Sequence, residues 1–207
     1  MITRICLIRH GKTDWNASRR IQGQLDIPLN ENGRNQALSL SALCDNNFNS
    51  IYSSDLSRAH ETAKMLAKKL KVSTLPELRE RHHGLFQGLT ANEAEMRHPE
   101  DYARYKSRDL DFDFETGESL TQFAHRVYAV LDALAKQHDG EAIAVVTHAG
   151  VLDIVYRKAT GRPLQTPRDF AVRNCAMNWL SASKEGLKLE AWDDHCGLFK
   201  TATESVE

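Results

Sequence analysis

ICLIRHG (residues 5–11) is a short apolar run that ends abruptly in a cation, an imidazole and a glycine. This pattern is typical of a buried strand that delivers polar groups to the edge of a sheet. Gly11 lets the backbone come close to a ligand, and Asn16 in the following loop can donate amide hydrogens. A nucleophilic histidine beside a fixed positive charge suits attack on a phosphoryl group. Taken alone, the run is equally consistent with an ordinary strand-to-loop junction, so its interpretation depends on partners elsewhere in the chain.

Length, charge and cysteine usage narrow the class of protein. The 207 residues fit one large domain with a substantial core, and the net charge of −1 argues against nucleic-acid and polybasic membrane binding. No apolar segment approaches the roughly 20 residues that span a bilayer, and residues 1–4 lead into a strand without a signal-peptide layout. The cysteines are scattered, at Cys6, Cys44, Cys175 and Cys196. Reduced thiols in a cytoplasmic protein are therefore expected.

Strand-like and helix-like patterns alternate along the chain. Strands are predicted over residues 4–8, 50–52, 72–75, 142–147, 177–181 and 187–192. Helices are predicted over residues 31–43, 55–70, 91–96, 120–137 and 151–160. This order predicts an α/β fold, a three-layer α/β/α sandwich with a mostly parallel central sheet.

Several helix ends carry recognisable signals. Thr90 with Glu93 forms a capping-box pattern, and Ser119 precedes the longest apolar-periodic helix. Gly140 and Gly161 fall just past helix ends, where a left-handed residue is favoured.

The expected organisation is one domain over residues 1–207. Residues 90–118 are predicted to be a helical cap insertion that covers a site, because residues 99–117 are polar and thin in apolar side chains. A solvated surface segment is the alternative for most of these residues. Residues 201–207 are expected to be a frayed tail.

Two further segments supply groups that complement His10. SSDLSRA (residues 53–59) follows a predicted strand and places Arg58 in the first turn of a helix. A cation at that end of a helix is best explained by a nearby anion, although a surface salt bridge is the alternative. LRERHHG (residues 78–84) is a polar loop in which Glu80 is a candidate general acid or a solvated carboxylate.

A fourth segment repeats the pattern of the first. AVVTHAG (residues 144–150) is a buried strand that runs into His148 at its carboxyl end. Open α/β sheets bind ligands at this edge. One such histidine is often a hydrogen-bonded core residue, but two strands that both end in histidine favour a shared site.

Other phosphate chemistries have less support. There is no glycine-rich loop followed by Lys and Ser or Thr, and no Gly-x-Ser-x-Gly elbow. A metal site built from His10, His148 and His82 or His83 is conceivable by residue type. The same segments supply arginines, which repel a divalent cation, so no metal and no cofactor are expected.

The chain resembles the histidine phosphatase superfamily, which includes the cofactor-dependent phosphoglycerate mutases and many phosphomonoesterases. The similar motifs are LIRHG (residues 7–11), Asn16 with Gln22-Gly23, DIPLNENG (26–33) with Gln36-Ala37, SSDLSRA (53–59) with Thr62-Ala63, Glu80, Gly117-Glu118-Ser119 and VTHAG (146–150). They occur in the family's order over nearly the whole chain.

This resemblance implies roles for individual residues. His10 would attack phosphorus and form a phosphohistidine, and Glu80 would protonate the leaving oxygen and then activate water. The catalytic set is His10, Glu80, His148, Arg9 and Arg58, and the phosphate-binding set is Arg9, Asn16, Gln22, Gly23, Arg58, His148 and Ala149.

We expect a metal-independent phosphatase for a small phosphorylated metabolite, with a cofactor-dependent phosphoglycerate mutase as the alternative. Residues 99–117 hold only separated cations where the mutases carry an adjacent arginine pair, although residues 80–89 resemble the mutase loop. A non-catalytic phosphate-binding or regulatory protein is a further alternative, disfavoured because His10, Arg58, Glu80 and His148 are all present. The oligomeric state is left open, with a homodimer as the candidate. Three aromatic residues, Phe86, Phe112 and Phe114, are either an apolar rim around the leaving group or core residues.

Overall fold

Six strands form one sheet in the computed structural model, which describes residues 1–44 and 48–194. The strands are β1 (Thr3–Arg9), β2 (Ser50–Ser53), β3 (Val72–Thr74), β4 (Ala142–Thr147), β5 (Met177–Ser183) and β6 (Gly186–Asp194). Their spatial order is β3-β2-β4-β1-β5-β6. The first four in this order are parallel, and β5 pairs antiparallel with both of its neighbours, β1 and β6.

The register of the two central strands places their carboxyl ends side by side. Arg9 at the end of β1 pairs with Thr147 at the end of β4. His10 and His148, the next residues of each chain segment, therefore leave the sheet together at one edge.

Seven α-helices lie within the described residues. They are α1 (Asp14–Ala17), α2 (Glu31–Leu43), α3 (Ser57–Ala67), α4 (Ala91–Arg97), α5 (Pro99–Lys106), α6 (Leu120–Gln137) and α7 (Ala149–Thr160). Side chains alternate between the faces along β1: Ile5 and Leu7 join the α6 and α7 side of the core, and Cys6 and Ile8 join the α2 and α3 side. The predicted three-layer α/β/α fold with a mostly parallel sheet is confirmed.

The helices differ from the sequence pattern at the boundaries of α3 and α7, and two of them, α1 and α5, were not among the predicted helix ranges. α3 is shorter than the predicted residues 55–70, because Leu56 keeps an extended conformation as its N-cap and Lys68 leaves the helix with φ 48°. α7 begins at Ala149, two residues earlier than predicted, because His148 is its N-cap. The four-residue α1 was not predicted, since it is too short to show apolar periodicity.

The predicted caps are confirmed with one exception. Thr90 and Glu93 form a capping box, and Ser119 caps α6. Gly161 ends α7 in the left-handed conformation with φ 68°. In the exception, Gly140 has the expected positive φ of 90° but is not the cap, because His138 ends α6 and Gly140 lies two residues beyond it in the turn.

Residues 90–118 contain α4 and α5 and pack a small apolar cluster of their own. The cluster consists of Phe86, Ala94, Tyr102, Phe112 and Phe114. The alternative of a solvated surface segment is therefore wrong for these members of the segment. The assignment of the segment as a cap insertion, like the single domain over residues 1–207, stays a prediction, and residues 201–207 lie outside the described residues.

Three of the cysteines, Cys6, Cys44 and Cys175, are buried, and none of the three is in a disulfide. Cys196 lies outside the described residues. Where the structure describes the chain, it contains no helix that is both long and apolar enough to cross a membrane.

Candidate active site

A cavity of about 690 Å³ opens at the edge of the sheet where β1 and β4 end. Eight of the nine predicted site residues line it: Arg9, His10, Asn16, Gln22, Gly23, Arg58, Glu80 and Ala149. The ninth, His148, is fully buried behind His10, with 5.1 Å between the two ring centroids. Residues that are far apart in sequence are thus brought to one place by the parallel pairing of β1 with β4.

The His10 imidazole is held in a single tautomer. Its Nδ1 lies 2.7 Å from the carbonyl oxygen of Gly11, and because a carbonyl can only accept, Nδ1 carries the hydrogen. The lone pair of Nε2 therefore remains available. Burial, followed by the charges of Arg58 and Arg9, places the pKa of His10 well below its ordinary value. His10 is consequently a neutral imidazole at physiological pH, with an unprotonated Nε2.

Two guanidinium groups, those of the buried Arg58 and the half-buried Arg9, flank His10, and both are fixed by backbone carbonyls. Arg58 donates from Nη1 to Leu25 and from Nη2 to Gly23, at 2.8 Å each. Arg9 donates from Nη1 to Val172, also at 2.8 Å. The Nε of each arginine is buried and has no hydrogen-bond partner among the described residues. Burial lowers the pKa of Arg58 to about 10, so both groups stay charged at neutral pH.

His148 is the most conspicuous polar residue without partners. Both of its ring nitrogens are buried, and neither has a hydrogen-bond partner in the part of the chain that the structure describes. Burial lowers its pKa well below the ordinary value, and Arg58, His10 and Arg9 lower it further. A buried polar group without a partner is destabilising by about 1–3 kcal/mol. Together with the two arginines, His148 forms a set of donors that an anion would satisfy.

The Glu80 carboxylate is held by two backbone amides. Oε1 accepts from the amide of Arg81 and Oε2 from the amide of Gly150, at 2.9 Å each. Gly150 is in the first turn of α7, and a β-carbon built there would lie 2.2 Å from Oε1 of Glu80. The glycine therefore makes room for the carboxylate at the cavity wall.

The loop after β1 supplies uncharged donors. The Oδ1 of Asn16 accepts from the amide and the hydroxyl of Thr13, and the Oε1 of Gln22 accepts from the same hydroxyl, all at 3.1 Å. These bonds fix the side-chain oxygens and leave the amide NH₂ groups as donors on the cavity wall. Gly23 adopts φ 53°, which presents its carbonyl to Arg58.

Several wall residues were missed by sequence reasoning. They are Arg20, Arg81, His83, Tyr105, Asp153 and Arg168. Burial lowers the pKa of His83 to about 3, so it is neutral. The long irregular segment between α7 and β5 was a usable signal for Arg168, since such loops are often functional. Phe86, Phe112 and Phe114 do not line the cavity, so the interpretation of these residues as an apolar rim is wrong and the core interpretation is correct.

Comparisons with known proteins agree with this geometry. The family model of the histidine phosphatase superfamily (branch 1) matches residues 5–195. Metal-independent phosphoserine phosphatase of Arabidopsis thaliana is 38% identical over 199 residues, which cover 93% of this chain and 82% of that protein. Phosphoglycerate mutase-like protein 4 of Arabidopsis thaliana is 44% identical over 161 residues, which cover 75% of this chain and 70% of that protein. A solved structure of a mutant phosphoserine phosphatase from Entamoeba histolytica in complex with phosphoserine has a TM-score of 0.85 and 27% identity, covering 95% of this chain and 100% of that one.

The chain therefore belongs to the histidine phosphatase superfamily. Within this class it is a phosphoric monoester hydrolase of the histidine phosphatase type.

Proposed function

We propose that this chain hydrolyses a small phosphomonoester with a carboxylate in its leaving group, with phosphoserine as the candidate substrate, and that His10 is its nucleophile. The observation that carries the proposal is the set of buried polar atoms without partners around His10. The Nε atoms of Arg9 and Arg58 and both ring nitrogens of His148 surround an imidazole whose Nε2 is unprotonated. Phosphoserine is favoured because two relatives similar over most of the chain are named phosphoserine phosphatases.

In the first step, Nε2 of His10 attacks phosphorus and the ester P–O bond breaks. Arg9 and Arg58 bind the equatorial phosphoryl oxygens and stabilise the charge of a loose transition state. His148 donates to the same oxygens through a ring nitrogen, and Asn16, Gln22 and the backbone at Gly23 and Ala149 complete the phosphate site. Protonated Glu80 gives its proton to the leaving alkoxide.

In the second step, water attacks the phosphohistidine. Glu80, now ionised, takes a proton from the water, the P–N bond breaks, and inorganic phosphate leaves with His10 neutral again. The low pKa of His10 serves this step as well as the first, because a weakly basic imidazole that keeps its Nδ1 hydrogen departs in its neutral form, ready for the next attack.

The experiment that tests this proposal measures phosphate release from phosphoserine in the presence of EDTA. His10→Ala is expected to lower kcat by about 10³-fold or more, because no other group can form the covalent intermediate. A base-stable, acid-labile phosphoryl adduct should be found by mass spectrometry on His10 in the unmodified chain. His125→Ala is the matched control, since His125 is an exposed histidine on α6. Equal rates for His10→Ala and the unmodified chain, or an adduct on another residue, would contradict the proposal.

Phosphoglycerate mutase activity is the second candidate, supported by the relative named phosphoglycerate mutase-like protein 4. The two functions separate on 3-phosphoglycerate with 2,3-bisphosphoglycerate present. A mutase forms 2-phosphoglycerate without releasing phosphate, whereas a phosphatase releases phosphate with or without the bisphosphate.

We also propose a cytoplasmic location. It is supported by Cys6, Cys44 and Cys175, none of which is in a disulfide, because reduced thiols persist in a reducing compartment. The homodimer stays a prediction, to be measured by light scattering.

A further inference from the structure

Seven cationic side chains line the cavity, and all but one have a partner. Three of them, Arg9, Arg58 and Arg81, donate to backbone carbonyls. Arg20 pairs with Glu93 and Arg108 with Asp153, while Lys106 lies over the ring of Tyr102. Arg168 is exposed and makes no hydrogen bond, ion pair or ring contact with any described residue. Arg168 is therefore a cation on the cavity wall that has no partner among the described residues.

The segment that carries Arg168 is fixed before this residue. Arg157, buried on α7, donates to the carbonyl of Pro163, and Arg108 from the 90–118 segment donates to the carbonyl of Leu164. Both arginines also bind the carboxylate of Asp153. The backbone therefore enters the region of Arg168 from a well-defined position.

The segment is fixed again after Arg168. The ring of Phe170 stacks on Tyr156 with 3.8 Å between centroids, and Trp192 donates to the carbonyl of Ala171 at 2.7 Å. Val172 and Asn174 then contact Arg9 and the carbonyl of His10. The backbone at position 168 is thus held on both sides, and the side chain alone remains without a partner.

The charge of Arg168 affects the pKa values of two other residues that line the cavity, Arg9 and Tyr105. The pKa of Arg9 is lowered by burial, and Arg168 lowers it further. Burial raises the pKa of the Tyr105 phenol, and Arg81 and Arg168 oppose that rise. Arg168 lines the same cavity as Arg9 and Tyr105 and is exposed to solvent, which places it at the mouth, where a leaving group would lie.

We infer that Arg168 binds the carboxylate of the substrate's leaving group and selects carboxylated phosphomonoesters over uncharged or cationic ones. This inference rests on the proposed function, in which the phosphoryl group occupies the base of the cavity. The planar guanidinium presents paired N–H groups that match a carboxylate. The position is pre-organised by its anchors, so little backbone ordering is lost on binding.

The experiment compares two substrates that differ in the carboxylate alone, O-phosphoserine and O-phosphoethanolamine. Arg168→Gln is expected to lower kcat/KM for phosphoserine by about tenfold or more, mainly through KM, and that for phosphoethanolamine by less than about twofold. Arg168→Lys should restore part of the loss, because it keeps the charge but not the paired N–H groups. Arg173→Gln is the matched control on the same segment, since Arg173 pairs with Asp193 and does not line this cavity.

Equal losses on the two substrates, or no loss on phosphoserine, would overturn the inference while leaving the phosphatase proposal intact. An unmodified chain that hydrolyses both substrates equally well would overturn it too. By contrast, an unmodified chain that hydrolyses neither of these substrates nor p-nitrophenyl phosphate would contradict the proposed function itself.

Discussion

Gly150 and Glu80 share a space that a single methyl group would fill. The amide of Gly150 donates to one carboxylate oxygen of Glu80, and a β-carbon at position 150 would lie 2.2 Å from the other. Gly150 is in a helix with ordinary dihedral angles, so the absence of a side chain, and not backbone freedom, is what the site uses. The identity of this residue therefore controls where the candidate proton donor sits.

We predict that Gly150→Ala displaces Glu80 and lowers kcat for alkyl phosphates by about 10- to 100-fold, within the range of a lost general acid. Aryl phosphates should lose less, because their leaving groups need less protonation, and Glu80→Gln should show the same selectivity. Steady-state kinetics on phosphoserine and p-nitrophenyl phosphate make this measurement.

Gly161→Ala is the control for Gly150→Ala. Gly161 has φ 68° and nothing within 4 Å of its added β-carbon, so this change strains the backbone far from the cavity. It should destabilise the fold by about 1 kcal/mol and leave kcat unchanged. A loss of kcat in both variants would mean that the effect of Gly150→Ala is one of stability.

At the level of elements, α6 holds the loop that presents Glu80. Arg126 on α6 donates to the carbonyls of Glu77, Arg79 and Glu80. It also binds both carboxylate oxygens of Glu118 at 2.7 Å each. One guanidinium thus joins the helix, the Glu80 loop and the end of the 90–118 segment, so we regard Arg126 as a positioning residue.

We predict that Arg126→Gln lowers kcat for phosphoserine about tenfold or more while its effect on p-nitrophenyl phosphate is smaller, because the Glu80 loop loses its anchor. The readout is the ratio of kcat on the two substrates, which a general loss of stability would not change. Arg34→Gln is the control. Arg34 makes an exposed ion pair with Glu61, so its loss should change the free energy of unfolding by less than about 1 kcal/mol and leave the ratio unaltered.

The elements that sequence predicted best are those with their own periodicity or cap. β1 and β4 are continuous apolar runs, as expected for strands buried on both faces, α6 has one apolar face, and Ser119 marks the start of α6. Local patterns fail where long-range contacts decide the outcome. The cluster around Phe86 is one example, because residues that are sparse along the chain meet only after folding.

The same division applies to the site. His10, Arg58 and His148 were predicted because each directly follows a strand or opens a helix that the sequence shows. Arg126 and Arg168 were not, because their significance depends on carbonyls and anchors tens of residues away. Every residue type has the same backbone carbonyl, so the sequence does not show which carbonyls an arginine will contact. The roles of these positions therefore cannot be predicted from the residue types alone.

For the whole molecule, the buried neutral histidines link stability to pH. The pKa values of His10 and His148 lie well below the ordinary value, and that of His83 is about 3. Below about pH 6.5 the unfolded chain binds protons at these positions and the folded chain does not. The contribution of these neutral histidines to the free energy of unfolding is therefore fully present above pH 6.5, and it is lost progressively as the pH falls below 6.5.

We predict that the free energy of unfolding falls between pH 7.5 and pH 5.5, by up to about 1.4 kcal/mol per pH unit for each such histidine below pH 6.5. Urea denaturation at a series of pH values measures this. His10→Asn should flatten the slope by one histidine's share, because an asparagine amide can keep the donor to Gly11 without titrating. A stability that does not change over this range would show that these imidazoles take up protons in the folded state.

The segment between α7 and β5 contributes both to the position of His10 and to the selectivity proposed for Arg168. Its later residues bind the end of β1 and the residue after it. Val172 accepts from Arg9, Asn174 donates to the carbonyl of His10, and the amide of Cys175 donates to the carbonyl of Arg9. Its earlier residues carry Arg168 at the mouth. Anyone grafting this loop between homologous enzymes to exchange their preferences would need to transplant residues 164–170 and keep residues 172–175 native, or the graft would impair chemistry along with selectivity.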